Sequence, residues 1–281
     1  MAPLPARVRL VIFDLDGVIY RGHEAIAGAP ELVTWLHATT TVVRFATNNS
    51  TVARAGYVER LAAHGIRATA DEIVTSTSAT IAHLERHAPE VRRVLAIGAD
   101  GMRDELEEAG FDVVMAGDVA PVPSGAPIGG FDAVIVGLDP GVDYARLAAG
   151  MAAVAGGARL IATNADARYP TSDGFAPGAG AIVSALVTAT GVEPEVVGKP
   201  SPAMFLAVME AAGVPPEACV VVGDNPDADV AGAHRAGCSA ILVLTGVADR
   251  AMAEGLEGER APDAMADGPA GVRELLADRV S

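Results

Sequence analysis

Short apolar runs rich in β-branched residues alternate along the chain with longer segments whose apolar positions recur at three- and four-residue spacing. Residues 8–13 open the series. Almost continuously apolar, they predict a strand buried on both faces of a parallel sheet. Runs at 41–46, 94–97, 131–136, 159–162, 196–198, 219–223 and 241–244 predict further strands. Between them, Leu32, Val33, Trp35 and Leu36 form one helical stripe that begins at Pro30, proline being tolerated in a first turn. Tyr57, Val58 and Leu61 mark a second helix, ending near Gly65 in a left-handed cap. Thr69 and Glu72 have capping-box spacing ahead of Ile73, and a helix through Ile81 and Leu84 runs to Pro89. Asp100 caps a helix through Met102, Leu106 and Ala109 that stops at Gly110, and another runs from Asp143 to Gly156. Helices through Phe205, Val208 and Met209, from Asn225 toward Gly237, and around Leu275 and Leu276 complete the set. Residues 117–130, rich in glycine and proline, predict a loop. The alternation predicts an α/β fold on a doubly wound parallel sheet, with a new α/β unit starting at about Val91.

Composition narrows the class. A chain of 281 residues with 51% hydrophobic and 20% charged positions is globular, one large or two medium domains. Its net charge of −16 argues against nucleic acid or an anionic membrane as a partner. Cys219 and Cys238 sit in or beside apolar runs and read as buried thiols, with nothing to suggest an oxidising compartment. No export signal forms at the N-terminus, because Asp14 and Asp16 interrupt the first apolar run. The longest uncharged stretch, 174–192, is broken by glycines and Pro177 and reads as a buried helix after a turn. The expectation is a soluble, cytoplasmic protein.

Chemistry gathers where four of the predicted strands end: Asp14 and Asp16, Thr47 and Asn48, Lys199, and Asp224 and Asn225. In one parallel sheet all four ends emerge at the same edge, where open α/β sheets bind ligands. Asp14 and Asp16 point to one side of extended backbone and repel unless a cation sits between them or one holds a proton. Taken alone they also fit an acidic turn, with Gly17 supplying an unusual backbone angle. Lys199 is the one lysine beside 19 arginines. At a strand end a compact ammonium does what a planar fork does not, holding an anionic nucleophile and a phosphoryl oxygen together. Asp224 and Asp229 follow a glycine at G-D-x-x-x-x-D spacing. Convergence of Asp14, Asp16 and Asp224 makes a hard, oxygen-rich site suited to Mg²⁺. The six histidines are scattered, and no His/Cys cluster has zinc spacing.

Asp14-Leu15-Asp16-Gly17-Val18, Thr47-Asn48-Asn49-Ser50, Gly198-Lys199-Pro200-Ser201-Pro202 and Gly223-Asp224-Asn225 with Asp229 resemble, in order, the four motifs of the haloacid dehalogenase (HAD) superfamily. The resemblance is nearest to its class IIA branch, the NagD-like, 4-nitrophenylphosphatase and phosphoglycolate phosphatase-like proteins. Thr163-Asn164-Ala165-Asp166 followed by Pro177-Gly178-Ala179-Gly180 also looks like that branch. The resemblance implies a Rossmann-like catalytic core at 1–90 and 193–281, with an inserted α/β cap at 91–192. It implies a Mg²⁺-dependent phosphatase acting on small phosphomonoesters through an aspartyl-phosphate. Asp14 is then the nucleophile and Asp16 the acid and base. The carboxylates of Asp14 and Asp224 and the main-chain carbonyl of Asp16 ligate the metal, with Asp229 behind them. Thr47, Asn48, Asn49, Lys199 and Asn225 face phosphate and substrate. Selectivity belongs to the cap, with Asn164, Asp166, Arg168, Tyr169 and Phe175 as candidates. A homodimer is a candidate assembly, since cap surfaces mediate dimers in some relatives. Two alternatives remain at this point: a phosphomutase of the same superfamily, and a receiver-like phospho-accepting domain. Receivers, however, place lysine after their acids, and Lys199 precedes Asp224.

Overall fold

The computed structural model describes residues 4–119, 126–171 and 174–280, with the backbone alone at 170 and 171. The chain opens with β1 (Leu10–Phe13), a short hairpin of β2 (Tyr20–Arg21) and β3 (Glu24–Ala25), α1 (Ala29–His37), β4 (Val42–Thr47), α2 (Arg54–Ala63), β5 (Ile73–Thr75) and α3 (Ser76–His87). It continues through β6 (Arg93–Ile97), α4 (Asp100–Glu108), β7 (Asp112–Met115), β8 (Ala133–Val136), α5 (Tyr144–Ala155), β9 (Arg159–Ala162), a hairpin of β10 (Arg168–Thr171) and β11 (Gly174–Pro177), α6 (Ala179–Thr190) and β12 (Glu195–Val196). It closes with α7 (Pro202–Ala212), β13 (Cys219–Gly223), α8 (Ala231–Arg235), β14 (Ser239–Val243), α9 (Arg250–Glu254), β15 (Ala264–Ala266) and α10 (Pro269–Leu276). Among the described residues no helix is long and apolar enough to cross a membrane.

Two compact units divide these elements. The first holds the chain up to Thr47, Ala55–Val74 and everything from Lys199 onward; the second holds Asn48–Arg54 and Thr75–Gly198. In the first unit the strands lie in the order β15-β14-β13-β1-β4-β5, and the pairs from β15 to β4 are parallel. β1 is central because its four apolar side chains are all fully buried, which requires helices on both faces of the sheet. The second unit has its own parallel sheet, β12-β9-β8-β6-β7, over a core that includes Leu95, Ile97, Val134, Val136, Leu160, Ile182 and Leu186. Cys219 and Cys238 are buried free thiols.

Several boundaries differ from expectation for physical reasons. Residues 75–90 and 193–198, assigned from the sequence to the core, lie in the second unit, because α3 packs on α4 and β12 pairs with β9. Asp100 does not cap its helix. Ala99 holds the cap position, and Asp100 is the first helical residue, where its charge suits the helix N-terminus. Asp143 does cap α5, accepting from the Arg146 amide at 2.8 Å. The loop expected at 117–130 begins with a helical turn at Ala116–Asp118, and residues 120–125 lie outside the described residues.

One buried carboxylate organises the second unit's chain ends. Glu105, 2% exposed, accepts from the Arg54 amide at 2.7 Å and the Thr75 hydroxyl at 2.5 Å, while Thr75 caps α3. Glu105→Ala is expected to lower the unfolding free energy by about 2–3 kcal/mol in urea titrations, since a buried hydroxyl and a half-buried amide lose their acceptor. Burial pushes the Glu105 carboxyl above its ordinary value, against the bonds from Thr75 and Arg54. The folded state thus binds this proton more tightly than the unfolded state. The associated stability is present below the unfolded value and is lost as pH rises through the folded one. Relative to wild type, Glu105→Gln is therefore expected to be more favourable at about pH 8 than at about pH 4.

Candidate active site

Three neighbouring parallel strands deliver the acids and the hydroxyl. Phe13 is in register with Val222 on β13 and Phe45 on β4, and the Asp14 amide donates to the Val222 carbonyl at 2.9 Å. Asp14, Thr47 and Asp224 therefore stand at the carboxyl ends of β1, β4 and β13. After Asp14 the chain turns tightly: the Gly17 amide donates to the Tyr20 carbonyl at 2.8 Å and the Ile19 amide to the Leu15 carbonyl at 2.9 Å. Asp16 sits in this turn, half-buried. Asp229 comes from the wide turn Pro226–Val230, which Asn225 caps by accepting from the Asp227 and Ala228 amides at 2.9 and 3.2 Å. That use of its carboxamide oxygen leaves Asn225 only its Nδ2 for a substrate contact.

Lys199 reaches the same place by an unexpected route. It does not end a strand of the first sheet, because the strand before it, β12, is two residues long and belongs to the second sheet. Lys199 instead leads into α7, two residues ahead of Pro202, and its side chain is buried beside the end of β1. Its Nζ donates to Asp14 Oδ1 at 2.5 Å, Asp229 Oδ1 at 2.7 Å and the Ala46 carbonyl at 3.2 Å. Three acceptors around one ammonium match its three donors.

Electrostatics at this cluster are dominated by burial. Desolvation raises the Asp14 carboxyl well above the ordinary range; Lys199 opposes this, and Asp229 and Asp224 reinforce it. Desolvation, then the Asp229 charge, pushes Asp224 up to about 7 despite the Val247 amide bonded to it. Desolvation likewise raises Asp16, with Arg60 and Lys199 pulling it down. Burial disfavours the Lys199 ammonium, but Asp14 and Asp229 outweigh it and hold the proton more firmly than usual. Two glycines make room for Asp224. A Cβ on Gly17, whose φ is +81°, or on Gly246 would run into its carboxylate.

The second unit carries the other expected residues. Asn164 Nδ2 donates to the Asn48 carbonyl at 2.7 Å, and Asn48 Nδ2 donates to Asp166 Oδ2 at 2.9 Å. Ser76 also donates to the Asn48 carbonyl at 2.7 Å, so residue 48 is held from three sides. Asn49 Oδ1 accepts from the amide and hydroxyl of Thr51, closing a turn. Arg168 and Phe175 face each other across the β10–β11 hairpin, with the guanidinium carbon 4.9 Å from the ring centre and Phe175 itself 69% exposed. Tyr169 pairs with Ala176 in the same hairpin.

A family model described as haloacid dehalogenase-like hydrolase matches residues 11–112, and a HAD-hydrolase-like model matches residues 196–270. An acid sugar phosphatase of Staphylococcus epidermidis is 34% identical over 236 residues, 84% of this chain and 86% of the relative. The chain belongs to the haloacid dehalogenase-like hydrolases. Among solved structures, a p-nitrophenyl phosphatase from Archaeoglobus fulgidus superposes with a TM-score of 0.84 at 32% identity, covering 95% of this chain and 99% of that one. A glycerol phosphate phosphatase from Mycobacterium tuberculosis in complex with magnesium gives 0.82 at 30% identity, covering 96% of this chain and 78% of that one. The receiver-like alternative falls with this assignment.

The acidic residues of this HAD-like hydrolase fit a divalent metal. One carboxylate oxygen each from Asp14, Asp224 and Asp229 lies within 4.8 Å of the others. Three carboxylates against one ammonium leave an excess of two negative charges, and all the donors are hard oxygens. The upward push on Asp14 and Asp224 comes first from desolvation, with the neighbouring carboxylates adding to it. One group has no counterpart in the sequence reading: the Arg60 guanidinium carbon lies 5.5 Å from the centre of the Tyr20 ring and 5.7 Å from that of Tyr57. Tyr57, Arg60, Leu61 and His64 stand at one-face helical spacing, of which the sequence reading names Tyr57 and Leu61 only.

Proposed function

We infer that this HAD-like hydrolase cleaves small phosphomonoesters with Mg²⁺ bound, transferring the phosphoryl group first to Asp14 and then to water. The observation that carries the reading is the Lys199 ammonium held between Asp14 and Asp229, with Asp224 in the same buried cluster. With Lys199 on Oδ1, the Asp14 carboxylate is fixed in rotation and presents its other oxygen for attack. The Asp14 oxygen–phosphorus bond forms, the bond from phosphorus to the leaving oxygen breaks, and the Asp16 carboxyl proton passes to that oxygen. A water then attacks phosphorus and yields its proton to Asp16, releasing phosphate and restoring the Asp14 carboxylate. The Thr47 hydroxyl holds a phosphoryl oxygen, and Lys199, its three donors engaged by Asp14, Asp229 and Ala46, acts on the phosphoryl group through its charge. Asp14, Asp224 and the Asp16 carbonyl would hold the metal, which supplies charge neutralisation at the phosphoryl group. Asn164, Asp166, Arg168, Tyr169 and Phe175 belong to the segment that selects the leaving group. A phosphorylated sugar or glycerol is the substrate class favoured by the relatives' activities.

A panel of phosphomonoesters with Mg²⁺, compared by kcat/KM, tests the reading, and lack of turnover on every ester would reject it. EDTA is expected to abolish turnover, with Mg²⁺ restoring it. The metal binds only the ionised carboxylates, and without a cation Asp224 titrates at about 7. The Mg²⁺ concentration for half-activation is therefore expected to climb as pH falls below that value. A requirement for Mg²⁺ independent of pH between about 5 and 8 would contradict the assignment of Asp224 as a ligand.

A further inference from the structure

Resting on that reading, we propose that Thr245 is a positioning residue for the metal's ligands, its hydroxyl tying the turn that carries the Asp16 carbonyl to the loop that grips Asp224. β14 ends at Val243, and residues 244–249 lead from it to α9. Two amides of this loop hold Asp224: Val247 donates to its Oδ2 at 2.6 Å and Ala248 to its main-chain carbonyl at 3.0 Å. The Thr245 hydroxyl reaches the other way and donates to the Gly17 carbonyl at 2.6 Å. Arg21, from β2, completes the tie by donating through Nη2 to the Thr245 carbonyl. Asp224 Oδ2 thus lies against two glycine backbones, and the Thr245 bond joins the segments that carry them.

Burial does little to fix this loop. Gly246 is exposed, Val247 is 58% exposed, and the next buried residue is Ala248. Its place beside the Asp16 turn therefore rests on polar bonds. The side chain that makes the decisive bond is itself braced, since a Cβ at Gly268 would stand 3.4 Å from the Thr245 Cγ2 methyl. With the methyl packed there, a β-branched side chain has little freedom at χ1, and its hydroxyl stays on Gly17. The Gly17 amide in turn donates to the Tyr20 carbonyl at 2.8 Å, and across that trans peptide the Asp16 carbonyl faces the opposite way. Both peptides flanking Gly17 are thus pinned, one through its N–H and the other through its oxygen. This sets the direction of the Asp16 carbonyl, the one neutral donor among the expected ligands. A neutral carbonyl attracts a cation less than a carboxylate does, and it contributes most when held in place beforehand.

The test measures metal binding apart from turnover. Mg²⁺ is titrated calorimetrically into the metal-free, full-length protein, without substrate, for wild type, Thr245→Val and Thr245→Ser. Valine keeps the methyl and the shape but has no donor, and its Mg²⁺ Kd is expected to rise about tenfold. Serine keeps the donor and is expected to stay within about threefold of wild type. On 4-nitrophenyl phosphate, the Mg²⁺ concentration for half-activation of Thr245→Val should rise in step with its Kd, and saturating Mg²⁺ should restore most of the lost kcat/KM. A hydroxyl that only satisfied the Gly17 carbonyl would lower the melting temperature and leave the Mg²⁺ Kd unchanged, and that result would overturn the proposal. Equal rises in Kd for serine and valine, or a loss of kcat/KM that saturating Mg²⁺ does not restore, would overturn it too. Should Thr245→Val fail to fold, Thr245→Ala decides by the same ratios. Absence of Mg²⁺ binding in wild type would reject the metal assignment and this proposal with it. Binding without turnover on any ester would reject the phosphatase reading alone, the Kd ratios still deciding the role of Thr245.

Discussion

Asp14→Asn is expected to lower kcat/KM for 4-nitrophenyl phosphate by about four orders of magnitude or more, as loss of a covalent nucleophile does. The carboxamide matches the carboxylate in shape and its oxygen can still accept from Lys199, so the loss is of nucleophilicity and not of packing. The same change is expected to leave the metal-free protein as stable as wild type, or more stable, at neutral pH. The sign follows from the raised Asp14 carboxyl: the folded state binds that proton more tightly than the unfolded state, so wild type loses stability as pH rises through the folded value. Asparagine carries no such proton. The variant's advantage should therefore fade as pH falls from the folded value toward the ordinary carboxylate value of about 4, and change no further below it. Thermal melts at several pH values check the second half, and acid-quench trapping of a phosphoenzyme, present in wild type and missing in the variant, checks the first. Turnover within tenfold of wild type would rule out Asp14 as the attacking group.

How much of this site is legible in the sequence depends on what each residue's neighbours demand. Asp14 and Asp224 are legible because β1 and β13 are apolar to the last residue, and a carboxylate straight after such a run can only mark the sheet's edge. Lys199 is legible by scarcity but not by route. Two residues of β12 cannot reveal which sheet they join, and the periodicity of 196–198 suits either sheet. β7, β15 and the β10–β11 hairpin escape the hydrophobic pattern for separate reasons. β7 is an edge strand with an exposed acid at its start. β15 is three residues long with alanine at both ends, a poor strand former. The hairpin's sequence contains Pro170 and Pro177, tolerated only outside central strands.

Arg60 illustrates a deeper limit. Tyr57 and Leu61 at helical spacing announce a buried face, and an arginine between them looks like the solvated neighbour that amphipathic helices usually carry. Only the fold brings Tyr20, 40 positions away, onto that arginine. The same holds for Asn48, whose carbonyl is claimed by Ser76 and Asn164 from two other elements of its unit. Local pattern identifies the acids of a site; the groups that surround them are set by contacts distant in sequence.

Lys199→Arg is expected to lower kcat/KM by about 100-fold or more, although the substitution keeps the charge. The ammonium places one donor on each of Asp14, Asp229 and Ala46, which stand around it in three directions. A planar fork cannot reach all three from one atom, and its extra length moves its donors past the acceptors the ammonium meets. Asp14 would then lose the contact that fixes its rotation. Lys199→Met separates this geometric effect from charge. It leaves Asp14 and Asp229 buried without their cation, at a cost of about 3–5 kcal/mol near neutral pH. That cost should shrink as pH falls and the raised Asp14 carboxyl protonates, whereas the arginine variant, still cationic, should show a weaker pH dependence of stability. Urea unfolding of both variants across pH, set beside their kcat/KM, checks the pair of expectations. An arginine variant with wild-type turnover would mean that any cation at residue 199 suffices and that the lone lysine is an accident of composition.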